Sequence, residues 1–148
     1  MRAAVALVLA SLVLPAGCAG GSDGPKGWKP VPGAGAAWTT GSGETAQQYS
    51  YTKAPFGGGL QDLASQVTID NLMRHRGARF HGSLPFPACP GAAGIASFSL
   101  PDQTMVQEGF AVHDGQAIRV RYVRPSGSKA DPSATQAMAS VLCALQSA

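Results

Sequence analysis

The chain has 148 residues, room for one domain and not two. A charged fraction of only 13 %, with 45 % hydrophobic residues, 19 Gly and 11 Pro, excludes a charge-rich disordered chain and describes a loop-rich globular one. The net charge of +3 becomes +2 if Arg2 is removed with a leader (10 Lys+Arg against 8 Asp+Glu), too little to argue for a nucleic-acid partner.

Residues 3–14, AAVALVLASLVL, form an apolar run of 12 after Arg2. It is too short for a permanent membrane span and has the length of a secretory h-region, so the chain is expected to be exported. Leu14-Pro15-Ala16-Gly17-Cys18 follows. This leader resembles those of bacterial lipoproteins, whose lipobox ends in a small residue before an obligatory Cys; Pro15 stands where that family prefers Leu. The resemblance spans roughly the first 20 residues. It implies cleavage before Cys18, a palmitate-bearing lipid on Cys18, and a lipid anchor on the extracytoplasmic face of a bacterial envelope. An ordinary signal peptide cut after Ala19 is the alternative. Ala19 is not the Asp that retains lipoproteins in the inner membrane of enteric bacteria, which leans towards the outer membrane where the host has one.

The expected layout is a signal peptide at 1–17, a lipidated Cys and Gly/Pro-rich tether at 18–36, and a single domain at 37–148. Three cysteines in an exported chain leave one odd. With Cys18 lipidated, Cys89 and Cys143 form an even pair, for which a disulfide is the default in an oxidising compartment. The bridge would close a loop of about 55 residues and stabilise by about 4 kcal/mol on the chain-entropy account. Within the tether, Trp28 is expected to pack on the domain edge or the membrane interface.

The domain starts with short strands at 38–40 and 47–52, broken by Pro55 and Gly57-Gly58-Gly59. No Gly-Lys-Ser/Thr follows those glycines, so they are not a phosphate loop. A helix is expected over 60–76, capped by Gly77, with Leu60, Leu63, Ala64 and Val67 as its stripe and Ile69, Leu72 and Met73 covered on other flanks. Residues 78–86 alternate as a half-buried strand whose prolines, Pro85 and Pro87, confine it to an edge or loop exit. A strand over 94–100 then leads into a hairpin over 106–123. A three-residue loop, His113-Asp114-Gly115, would pair Phe110 with Ile118 and Val106 with Tyr122. That register gathers Val106, Phe110, Val112, Ile118, Val120 and Tyr122 on one face and leaves Arg119 and Arg121 on the open one. In the last helix Asp131 is the N-cap, Pro132 the first position, and Ala134, Ala137, Met138, Val141, Leu142 and Leu145 the apolar stripe.

The order ββ-α-ββββ-α defines an α+β fold, an antiparallel twisted sheet with the two helices packed on one face. In element order alone it resembles the PsbP-like sandwich, used by photosynthetic extrinsic subunits and small bacterial lipoproteins. The likeness implies a noncatalytic role and transfers no site residue.

Catalytic signals are weak. His75, His81 and His113 lack metal-ligand spacing, and no metal or cofactor is expected. Ser126-Gly127-Ser128-Lys129 fits Ser-x-x-Lys but lies between Pro125 and Pro132, in a loop, without the partner motifs. Glu108 falls on the apolar hairpin face, where it reaches a rim or, alternatively, lines a pocket between sheet and helix. Arg74, Arg76 and Arg79 cluster at a helix–strand junction. With Arg119 and Arg121 they could form a basic patch for an anionic lipid or cell-wall polymer, against the plainer reading of scattered surface charges. The expected function is a noncatalytic, envelope-anchored interaction or assembly module acting on an envelope protein or anionic component. A ligand-binding module is the alternative, and a hydrolase comes third.

Overall fold

The computed structural model describes residues 24–143. Cys18, the leader and Leu145 lie outside the described residues. The strands are β1 (Lys29–Pro30), β2 (Ala37–Thr40), β3 (Gln47–Pro55), β4 (Arg79–Pro85), β5 (Ala93–Ser99), β6 (Thr104–His113) and β7 (Gln116–Pro125). Two helices, α1 (Leu60–Arg74) and α2 (Pro132–Cys143), complete the α+β fold. All neighbouring strands are antiparallel, in the order β1-β2-β3-β7-β6-β5-β4.

The helices lie on opposite faces of this sheet, not on one. Leu63 and Val67 of α1 pack with Ala96, Phe98, Val106 and Phe110, while Ala134, Ala137, Met138 and Leu142 of α2 pack with Ala93, Ala111, Ile118, Val120 and Tyr122. Residues of the two sets alternate along β6 and β7, as side chains on a pleated strand must. The approach of α2 is close at Gly109, where an added Cβ would come within 2.5 Å of Leu142 Cδ1 and 2.9 Å of Met138 Sδ.

The hairpin register differs for the same reason. His113 pairs with Gln116 around a two-residue Asp114-Gly115 turn, and Phe110 pairs with Arg119 and Val106 with Val123. Asp114 (φ 48°) and Gly115 (φ 69°) both occupy the left-handed region that a tight hairpin turn of the I′ kind requires. The three-residue loop was expected because it gives one clean apolar face. With both faces covered by helices, Phe110 and Ile118 are each buried on opposite sides.

The N-terminal boundary also moves. β1 pairs with β2, and Trp28 is buried against Tyr122 with ring centroids 6.0 Å apart, so the expected tether contributes part of its length to the fold. β4 is an edge strand, as its prolines indicated, but it is mostly exposed and not half-buried; a bulge between Phe80 and Gly82 reverses its alternation. The Cys89–Cys143 disulfide ties the β4–β5 loop to the last described turn of α2 across a Cα separation of 5.8 Å. The N-terminus of α2 matches its sequence signature, Asp131 Oδ1 accepting from the Ser133 N–H at 2.8 Å.

Candidate functional site

Polar chemistry concentrates where α1 crosses β6 and β7. Leu63, Val67 and Asn71 are the buried positions of α1, spaced four apart, so the third rung of an apolar stripe is an amide. Asn71 Nδ2 donates to the Val67 carbonyl at 2.8 Å and to Glu108 Oε2, and its Oδ1 accepts from Arg121 Nη1 at 2.7 Å. Glu108, 3 % exposed, therefore does not reach a rim. Its Oε1 accepts from Arg119 Nε at 2.7 Å, and Arg119 Nη1 donates to Asp70 Oδ2 at 2.6 Å. Arg121 Nη2 donates to His75 Nε2 at 2.7 Å, which requires a neutral imidazole protonated on Nδ1.

The two arginines, two residues apart on one face of β7, have opposite electrostatics. Burial pulls the Arg119 guanidinium down, but its bonds to Glu108 and Asp70 outweigh that and hold it above the usual value. Burial likewise lowers Arg121; Arg74 and Arg119 push the same way against the pull of Glu108, and the net shift is downward. Its hydrogen-bond partners Asn71 and His75 are neutral, and among the described residues no carboxylate lies within ion-pair distance of it. His75 is lowered as well, by burial first and then by Arg121 and Arg74, with Asp102 opposing.

The expected patch of five arginines thus divides. Arg119 and Arg121 are not on an open face; α1 covers the side of β7 that they share, opposite Ile118, Val120 and Tyr122. Arg119 is locked to carboxylates. Arg121 lines a cleft of about 860 Å³ together with Arg74 and His75, closed on other sides by Gln48, the β5–β6 turn at Asp102–Thr104 and the β7 exit at Ser126. Arg76 and Arg79 stand exposed at the α1–β4 junction. Near them Ile69 (54 % exposed), Leu72 and Met73 (82 %) project from α1, and Phe80 from β4. A depression of about 370 Å³ lined by Ala64, Ser65, Thr68, Ile69 and Ser83 joins α1 to β4. Those helix residues were expected to be covered and are not.

The histidines do not meet: His81 shares a 2.8 Å hydrogen bond with Ser99, and His113 lies 3.0 Å from Asp114. Among the described residues no three His, Cys, Asp or Glu side chains gather as a metal centre would, and no helix is long and apolar enough to cross a membrane. Ser126 and Ser128 sit in the turn after β7, where Ser128 Oγ donates to the Pro125 carbonyl at 2.6 Å. Sequence reasoning missed Asn71 altogether and read Tyr122 only as an apolar residue of the hairpin, without its hydrogen bonds. Asn71 had a signal, a polar residue at the i+4 continuation of Leu63 and Val67. Tyr122, buried under α2, donates to Gln47 and accepts the Asp131 N–H at 3.0 Å, and nothing local in the sequence announces that. No family model and no curated protein matches the chain.

Proposed function

We propose that this chain is a noncatalytic, exported protein, anchored through lipid on Cys18 to the extracytoplasmic face of a bacterial membrane, whose domain is an interaction module. The observation that carries the reading is the flank of α1 and β4. Ile69, Leu72, Met73 and Phe80 are left in water beside the exposed cations Arg76 and Arg79. Contiguous exposed apolar side chains signal a contact surface, and their pairing with cations fits an anionic bilayer, which takes up both. The leader's resemblance to lipoprotein leaders and the noncatalytic roles common in the PsbP-like sandwich point the same way. So does the engagement of Glu108 and His75 with arginines, which leaves neither poised as a free acid or base.

The test is co-sedimentation of a lipid-free Cys18→Ala form with vesicles. Binding to vesicles containing anionic phospholipid, weakened by salt and reduced several-fold by Ile69→Ser with Met73→Ser, is the expected result. Absence of binding, or equal binding by the double variant, removes the membrane reading.

A further inference from the structure

The cleft beside Arg121 is independent of the flank and of any lipid anchor. Its walls come from five separate parts of the chain: the β2–β3 turn at Gly43–Ala46, β3, the end of α1, the β5–β6 turn, and β7 with its exit. Its volume, about 860 Å³, is within the range of small-molecule sites.

Three observations say what it takes. The first is the contrast within β7, where Arg119 holds two carboxylates while Arg121, equally beneath α1, bonds an amide oxygen and a neutral imidazole. Glu108, its cross-strand neighbour, attracts it but is hydrogen-bonded to Arg119 and Asn71, and among the described residues only two of the five Arg121 N–H groups are engaged, both by neutral partners, so it can still hold an oxyanion. Arg74, on the same wall, adds a second cation. The second is that the same lining also holds carboxylates: Glu44 and Asp102 line the cleft, and Asp102 is fixed by the Thr104 N–H at 3.1 Å and hydroxyl at 2.6 Å. Two arginines and two carboxylates in one lining balance in formal charge, which disfavours a polyanion and suits a ligand carrying both signs. The third is Gln103, held at φ 65° in the wall, where its carbonyl accepts the Ser126 N–H at 2.8 Å. That backbone is the ordinary left-handed end of a three-residue hairpin loop, and the bond to Ser126 fixes the β5–β6 turn against the β7 exit, so this wall is preformed.

We propose that this cleft binds a small zwitterion, its carboxylate or phosphate on Arg121 and Arg74 and its ammonium group on Glu44 and Asp102. Two sources share that chemistry, a free peptide or amino acid and a phosphoethanolamine head group.

The test is calorimetric titration of the full chain, kept in nonionic detergent, with alanyl-alanine and with glycerophosphoethanolamine. N-acetylated and C-amidated alanyl-alanine report each charge alone. Binding by either zwitterion supports the proposal, and the stronger of the two names the source. Capping either end of a bound dipeptide is expected to weaken it by about tenfold or more, since each cap removes a charge-assisted contact. Arg121→Gln is expected to abolish binding, while Arg79→Gln, which lines a different depression, leaves it unchanged. Because Arg121→Gln could also disturb α1, Glu44→Gln, on an exposed residue, provides the second variant and is expected to weaken either zwitterion. Failure of both zwitterions to bind, equal binding by the capped dipeptides, or full affinity in Glu44→Gln would overturn the proposal.

Discussion

A carboxylate that is 3 % exposed needs its charge met, and Glu108 is met by Arg119 Nε and Asn71 Nδ2. Removing one partner of a buried pair leaves the other uncompensated, so Glu108→Ala is expected to destabilise by about 3 kcal/mol in urea unfolding. Glu108→Leu combined with Arg119→Met should cost clearly less, because no buried charge is then orphaned; equal losses would mean that the pair is not buried as described. His75 gives a pH prediction. Its folded pKa lies below the ordinary value because of burial, then Arg121 and Arg74, so the unfolded chain binds the proton more readily. Its stabilising contribution is complete above about pH 6.5 and is lost as pH falls through the lowered folded value. The drop in stability on acidification should be smaller in His75→Gln, measured as thermal midpoints across the range. Residue chemistry was only half legible in the sequence. Glu108 was conspicuous as a charge on an apolar face, but whether it met a partner depended on a helix 37 residues away in sequence.

At the scale of elements, both helices, the edge strand and the hairpin could be read from periodicity, caps and prolines, and the register could not. Choosing between a two-residue and a three-residue turn needed the number of covered faces, a tertiary fact. Asp114-Gly115 carried the correct local signal, and a preference for one apolar face overrode it. The close seating of α2 predicts that Gly109→Ala destabilises by about 1–3 kcal/mol, since its new Cβ meets Leu142 and Met138. In the one-face arrangement the same change would meet no helix, so a neutral result in thermal unfolding would contradict helices on opposite faces. The cap at α2 is a smaller effect: Asp131→Ala should cost about 1 kcal/mol.

The whole molecule is a sheet closed on both faces by helices, with the disulfide joining the β4–β5 loop to α2 and with an apolar, cationic flank left open on α1 and β4. Losing the bridge, as in Cys89→Ser with Cys143→Ser, is expected to cost about 4 kcal/mol on the chain-entropy account, read by urea unfolding. The arginine clusters were visible in the sequence as residues but not as a site, because whether a helix covers the side of β7 that carries Arg119 and Arg121 is a tertiary fact. The proposed function turns on whether the open flank of α1 and β4 meets a bilayer. The most direct measurement places an environment-sensitive fluorophore on Met73→Cys, with Cys89 and Cys143 bridged and Cys18 lipidated, in anionic vesicles. A blue shift at position 73, and none for the same probe on the α2 surface at Gln136→Cys, is the predicted result. Equal, water-like emission at both positions would contradict the docking of this flank on a membrane.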